Sequence, residues 1–192
     1  MNIEIKQMII IGITGTLGAG KGTLVEYLKE HKGFLHFSVR DYLVEELHRR
    51  NLDVNRDTMT SLANELRANH SPSYITDQLY EQAKKAGKNS IIESIRTPGE
   101  ITSLRAKGDF YLFAVDADPK VRYERISLRK SATDNIDFET FLSNEKREMT
   151  ASDPNKQNLS KCIKGADFVF DNNGDLDKLY EQLVTVLKEL NI

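Results

Sequence analysis

The residues best suited to chemistry lie in one stretch, Met8 to Thr23, MIIIGITGTLGAGKGT. An apolar run from Met8 to Ile13 breaks into Gly15, Gly18, Gly20 and Gly22 around Lys21, and a helical pattern opens at Leu24. Glycines at this spacing let successive backbone N–H groups turn inward around a phosphate. The helix that follows presents its positive end, and Lys21 reaches the outer phosphates. Gly15, Thr16, Gly18, Ala19, Gly20, Lys21, Gly22 and Thr23 are therefore the expected cradle of a nucleoside triphosphate, ATP with Mg²⁺. The general motif places a hydroxyl for the metal directly after the lysine. Here that position is Gly22, and the hydroxyl arrives one residue later at Thr23.

Further charged residues stand where they could meet the same phosphates. Asn89 to Ile95, NSIIESI, reads as a buried strand with Glu93 near its end, and a carboxylate at the tip of a strand beside the phosphate loop holds hydrated Mg²⁺. Arg122, Arg125 and Arg129 recur at i, i+3 and i+7 after Pro119, which brings them to one helix face, where they repel unless an anion sits among them. Arg56, Arg67 and His70 fall in a helical stretch between Asn51 and Ala86. Arg67 is the first choice there, because the guanidinium fork suits phosphate. For Glu93 a strand-end charge facing water is the plain alternative, and for the arginines a solvated helix face.

The form G-x-x-G-x-G-K-G-T between a strand and a helix marks a P-loop protein. It resembles the nucleoside monophosphate kinases, adenylate kinase above all, with cytidylate and dephospho-CoA kinase as further likenesses; Leu17 stands where adenylate kinases usually carry Pro. The resemblance implies that Ser38-Val39-Arg40-Asp41 opens the acceptor-binding region. Ser38 and Asp41 match the family's Ser-Thr-Gly-Asp-like sequence; the family's next arginine falls on Val44, and Arg40 supplies a charge from a different position. Glu93-Ser94-Ile95-Arg96-Thr97 resembles Asp-Gly-Phe-Pro-Arg-Thr, one residue shorter, which would make Arg96 the grip on the acceptor phosphate. Arg125 and Arg129 resemble the arginines that open the lid of these kinases and touch donor phosphates. Ala166 to Gly174 is similar to the closing strand of dephospho-CoA kinases, so Asn172 and Gly174 become candidates for the donor base, although a plain turn explains Asn-Gly equally well.

Five apolar stretches must position these groups: residues 8–13, 34–38, 89–95, 109–115 and 166–171. Alternating with helical patterns, they predict an α/β, three-layer P-loop fold, a five-stranded parallel sheet with helices on both faces. A last amphipathic helix is marked by Leu176, Leu179, Leu183, Leu187 and Leu190. The chain of 192 residues reads as one domain, 1–192, with an acceptor-binding insertion at about 39–86 and a short helical lid at about 130–158. Within the lid, Asp137 is the expected cap of a helix carrying Phe138, Phe141 and Leu142, and Lys146 and Arg147 could close on the donor. Asp153-Pro154 reads as the start of a further helix running to about Lys164.

Charge is nearly balanced, 27 basic against 29 acidic residues, so no electrostatic footprint for nucleic acid or a membrane surface is present. Cys162 is single, which excludes an internal disulfide and suits a cytoplasmic location and a place in the core. No stretch approaches the roughly 18 apolar residues of a membrane span, and Glu4 and Lys6 precede a run too short for a secretory core. The four histidines read as structural or exposed unless His70 meets the acceptor. The expected activity is transfer of the γ-phosphoryl of ATP to a small nucleoside monophosphate by a monomer or homodimer, with Lys21, Arg96, Arg125 and Arg129 as the catalytic set. A hydroxyl acceptor, as in dephospho-CoA or nucleoside kinases, would need a carboxylate base, Asp41 or Glu93. A nucleotide-binding switch or slow NTPase would need no acceptor at all.

Overall fold

The computed structural model describes residues 8–129 and 136–192. The first residues of the expected lid, and Glu4 and Lys6, lie outside the described residues. In chain order the elements are β1 (Ile10–Gly15), α1 (Lys21–Lys32), β2 (Leu35–Ser38), α2 (Val39–Arg49), α3 (Arg56–Asn69), α4 (Tyr74–Ala86), β3 (Ser90–Glu93), α5 (Pro98–Arg105), β4 (Phe110–Asp116), α6 (Pro119–Arg129), α7 (Phe138–Met149), α8 (Leu159–Lys164), β5 (Phe168–Asp171) and α9 (Leu176–Glu189). None of the described helices is long and apolar enough to cross a membrane.

The sheet runs β2-β3-β1-β4-β5 and every pairing is parallel. In β1, β-branched Ile10, Ile11 and Ile13 alternate faces, as a strand covered on both sides requires. Ile11 and Ile13 pack with Leu24 and Leu28 of α1 and Leu179, Leu183 and Leu187 of α9. Ile10 faces the other way, toward Leu43, Leu62, Ile75, Ile101 and Cys162 from α2, α3, α4, α5 and α8. Register carries this alternation across the sheet: Ile13 lies opposite Glu93 on one side and Phe113 on the other. The carboxyl ends of β3, β1, β4 and β5 thus open along one edge, where loops can meet.

Local chemistry sets the helix boundaries. The stretch expected to be helical from Asn51 to Ala86 divides into α3 and α4, with Pro72 between them. Asn55 and Thr58 close a capping box on α3, Thr97 and Glu100 one on α5, and Asp137 caps α7 as expected. The helix expected from Asp153 starts later: Asp153 instead accepts from Asn155 N and Lys156 N, a turn, and Asn158 becomes the cap of α8. Asn158 N also donates to Arg96 O at 2.8 Å, which ties this irregular stretch to the loop after β3. Cys162 is fully buried, and burial pushes its thiol up to about 12, an inert core residue.

Gly12 lies on the crowded face of the central strand: a Cβ there would come within 2.5 Å of Ile95 and 2.7 Å of Phe110. Gly12→Ala is therefore expected to destabilise the fold by about 1–3 kcal/mol, read as a lower urea midpoint at unchanged slope.

Candidate active site

The loop between β1 and α1 is held from behind. Gly15, Gly18 and Gly20 have φ of 141, 80 and 110°, the left-handed region, and a Cβ on Gly15 or Gly20 would collide with Val115 O or the Asn172 amide. Three side chains brace the loop. Thr16 Oγ1 donates to Asp116 Oδ1 (2.7 Å), Asn172 Nδ2 donates to Ala19 O (2.7 Å), and Arg122 Nη1 donates to Leu17 O (3.3 Å). Buried Arg122 also donates through Nε to Ala117 O (2.7 Å) and pairs with Glu145 of α7. Lys21 Nζ folds over the loop and donates to Gly15 O (3.0 Å) and Thr16 O (2.9 Å). Burial, and then the charge of Arg96, lowers Lys21 to about 7.

In front of the loop is a cavity of about 500 Å³. Gly18, Gly20, Lys21 and Gly22 form one wall; Arg40 of α2, Arg56 and Arg67 of α3, Arg129 of α6 and Glu148 of α7 enter from other elements. Glu93, Ser94 and Arg96 complete it from the end of β3, with Ser94 at φ 72°, a conformation that costs a non-glycine residue of order 1–3 kcal/mol and clusters at functional sites.

The guanidinium groups are only partly satisfied. Arg67 is 2% exposed; Nη2 donates to Glu100 Oε1 at 3.0 Å, while its Nε and Nη1 are buried with no partner. Glu100 is wholly buried and spends its other oxygen on Arg96 N (2.7 Å) and Thr97 N (2.9 Å). Glu148, 13% exposed, accepts from Arg96 Nη1 at 2.7 Å and from Arg56. Burial pushes the Glu148 carboxyl up, but the charges of Arg96 and Arg56 outweigh it and hold the group below the usual carboxylate range. Glu93 behaves in the same way: burial raises it, and the hydrogen bond from His36 (3.1 Å) with the charges of Lys21, His36 and Arg96 brings it lower.

Of the residues singled out by sequence, Lys21, Arg40, Arg67, Glu93, Arg96 and Arg129 meet at this cavity with Gly18, Gly20 and Gly22. Others lie elsewhere. Ser38 caps α2, accepting from Asp41 N at 3.2 Å, and the Asp41 side chain is exposed. Thr23 is half-buried on α1, outside the cavity lining, as are Gly15, Thr16 and Ala19 behind the loop. Asn172 braces the loop, and Gly174 is exposed at the start of the turn into α9. The three arginines of α6 part company: Arg122 is buried under the loop, Arg125 is half-buried with Nη1 unpartnered, and Arg129 is exposed at the cavity rim. His70 stacks on Tyr74, 4.0 Å between ring centres, and Lys146 points to solvent. Sequence reasoning passed over Glu100, Glu148 and His36. A signal existed for α7: Glu145 and Glu148, spaced i, i+3, share a face as partners for arginine.

Sheet order, loop and lysine together define a P-loop protein with a kinase-like fold. The chain matches the family model described as AAA domain over residues 11–151 and belongs to that family. It is similar to a UPF0200 protein of Methanococcus vannielii, 29% identical and covering 95% of this chain and 97% of that one. A UPF0200 protein of Pyrobaculum aerophilum is 27% identical over 94% and 98% of the two chains. Among solved structures it resembles TT1252 from Thermus thermophilus (TM-score 0.63, 23% identity, 96% and 99% coverage). It also resembles shikimate kinase from Bacteroides thetaiotaomicron (TM-score 0.57, 13% identity, 97% and 100% coverage), a likeness of fold.

Two expectations follow. A Lys21 held near 7 is mostly neutral at pH 8, while the unfolded chain keeps that proton, so this group's contribution to stability rises with pH above 7. A polyphosphate placed on it restores the charge. Calorimetry in buffers of different ionisation enthalpy should find MgATP binding at pH 8 coupled to uptake of about one proton, absent in Lys21→Met, with affinity falling as pH rises. Glu148→Gln should free Arg56 and Arg96 for an external anion, so inorganic phosphate raises the melting temperature more than in the native protein. Without phosphate, the variant should lose roughly 1–3 kcal/mol of stability.

Proposed function

We propose that this chain transfers the γ-phosphoryl group of ATP to a nucleoside monophosphate. The observation that carries the reading is Arg67: two buried guanidinium nitrogens, Nε and Nη1, without partners, on a residue that lines a cavity with Lys21, Arg96 and Arg129. Buried donors of this kind cost free energy unless filled, and a planar fork fits phosphate. In this reading residues 39–86 form the acceptor-binding insertion and 130–158 the lid of one domain, 1–192.

An acceptor phosphate held by Arg67 and Arg96 would present an oxygen to the γ-phosphorus. The new O–P bond forms as the bond from the γ-phosphorus to the β,γ-bridging oxygen breaks, and the electron pair leaves with ADP. The acceptor oxygen is already anionic, so alignment and charge neutralisation do the catalysis. Lys21 and Arg129 face the transferring group; Arg125, with Nη1 unpaired, lies one helical turn behind Arg129. The loop amides between Gly15 and Thr23 would hold the triphosphate, and Asn172 would serve as their brace.

Magnesium fits the residues present. The described residues contain no cluster of three or more metal-ligating side chains, and Mg²⁺ in phosphoryl-transfer sites takes one or two carboxylates, waters and phosphate oxygens. Glu93 would hold it through water at the tip of β3. When bound, the ion neutralises the β- and γ-phosphate oxygens.

A hydroxyl acceptor would need a base, and the carboxylates named for that task serve poorly: Asp41 is exposed away from the cavity, and Glu93 is paired and held low.

A coupled ADP-release assay over all mononucleotides, nucleosides and dephospho-CoA should show stimulation by a mononucleotide. Lys21→Ala should lose nearly all turnover while folded, and Arg67→Met should raise the acceptor KM roughly 100-fold with the ATP KM unchanged. Stimulation by a hydroxyl acceptor alone, or by nothing, would refute the assignment.

A further inference from the structure

Beside the phosphate-binding cavity lies a second, of about 450 Å³. The two share Arg56, Thr60, Glu148 and Gln157, so the Arg56–Glu148 pair stands between them as a partition. Their chemistry differs. The first is ringed by cations; the second balances Arg56, Arg147 and Lys156 against Asp57, Glu148 and Asp153 and adds the amides of Asn64, Asn144 and Gln157, and its Arg147–Asp57 pair (4.0 Å) is largely solvated. Asn64 Oδ1 and Gln157 Oε1 are buried with no hydrogen-bond partner. They come from separate elements, Asn64 from α3 and Gln157 from the stretch whose neighbour Asn158 is bound to Arg96 O.

A buried amide carbonyl without a donor is costly, and two beside one cavity point to a ligand that supplies N–H groups. An amide carries donor and acceptor side by side, which matches the edge of a planar heterocycle and gives no preference to a charged group. The donor nucleotide is not the occupant, because no residue from Leu17 to Gly22 lines this space. A molecule reaching it from the first cavity passes Arg56, with its phosphate at Arg67 and Arg96. We infer that the second cavity takes the base of the acceptor nucleotide and that Asn64 and Gln157 set which base is accepted, an inference that rests on the phosphate-acceptor reading above.

The test is equilibrium binding of AMP, GMP, CMP, UMP and ribose 5-phosphate to the full chain. At least one mononucleotide should bind about ten-fold more tightly than ribose 5-phosphate, the probe with no base. Asn64→Leu should pull that ratio toward one while ribose 5-phosphate binding holds, and Gln157→Leu, at a residue that also lines the first cavity, should lower the same ratio. Asn64→Asp and Gln157→Glu keep the shape, so if the leucine variants do not fold these carry the test, and they should shift the preference among the four bases. Uniform binding of mononucleotides and ribose 5-phosphate, or an unaltered preference in the folded variants, overturns the inference. Base-selective binding without ADP release upholds it and sinks the kinase reading. ADP release driven by a phosphate compound that binds no better than ribose 5-phosphate does the reverse.

Discussion

Positive charge crowded into one place governs this structure. Lys21, Arg40, Arg56, Arg67, Arg96 and Arg129 border one cavity whose own lining holds two carboxylates, Glu93 and Glu148. Two like charges about 4 Å apart at an effective dielectric near 20 repel by about 4 kcal/mol, so such a cluster persists only if the surroundings relieve it. Lysine yields first: burial, and then the charge of Arg96, brings Lys21 to about 7, where it can shed its proton, which arginine cannot do. Glu148 and, behind the cavity, Glu100 each serve more than one donor, Glu148 between Arg56 and Arg96, and Glu100 between Arg67 and two backbone amides. What is left over, the two open nitrogens of Arg67, Nε and Nη1, is the part an anion has to complete.

On its cavity side the loop is bound by one side chain, Lys21, which donates to Gly15 O and Thr16 O. Its other supports come from behind: Asp116 at the end of β4, Asn172 just after β5, and Arg122 in α6. Val115 O forbids a side chain at Gly15 and the Asn172 amide forbids one at Gly20, so packing alone requires both glycines. Gly22 differs. A Cβ there meets nothing within 4 Å, so packing does not explain the glycine that replaces the usual hydroxyl residue, and its place on the cavity wall is what distinguishes it.

The sheet, its strand content and the phosphate loop were legible in sequence because apolar period and glycine spacing are local signals. The positions of Lys21, Glu93 and Arg96 at the cavity were legible for the same reason: Lys21 opens the helix after the glycine loop, and Glu93 and Arg96 lie at or just past the end of β3. For Asn172, a turn asparagine next to a strand end is visible in sequence, but its bond to Ala19 O, 153 residues away, is not. Helix phase placed Arg122, Arg125 and Arg129 on one face, yet could not say that α6 starts beneath the loop and leads outward, which buries the first and exposes the last. Glu100 was invisible, and Glu148 showed only as half of an acidic i, i+3 pair, because a buried carboxylate is defined by its partners, and theirs come from α3 and from the segment after β3.

The two glutamates of α7 have unequal tasks, which follows from where their partners stand. Glu145 pairs with Arg122, a residue already committed to Ala117 O and Leu17 O, so this contact joins α7 to the framework that holds the loop. Glu148, one turn on, pairs with Arg96 and Arg56, which line the cavity and have no other side-chain partner among the described residues. A phosphate arriving at those arginines and the Glu148 carboxylate are both anions seeking the same donors, and they repel each other. An anion at those arginines would compete with Glu148 for their N–H groups and would leave Glu145 untouched. The helix is thus tied by Glu145 to the framework behind the loop and by Glu148 to the cavity wall.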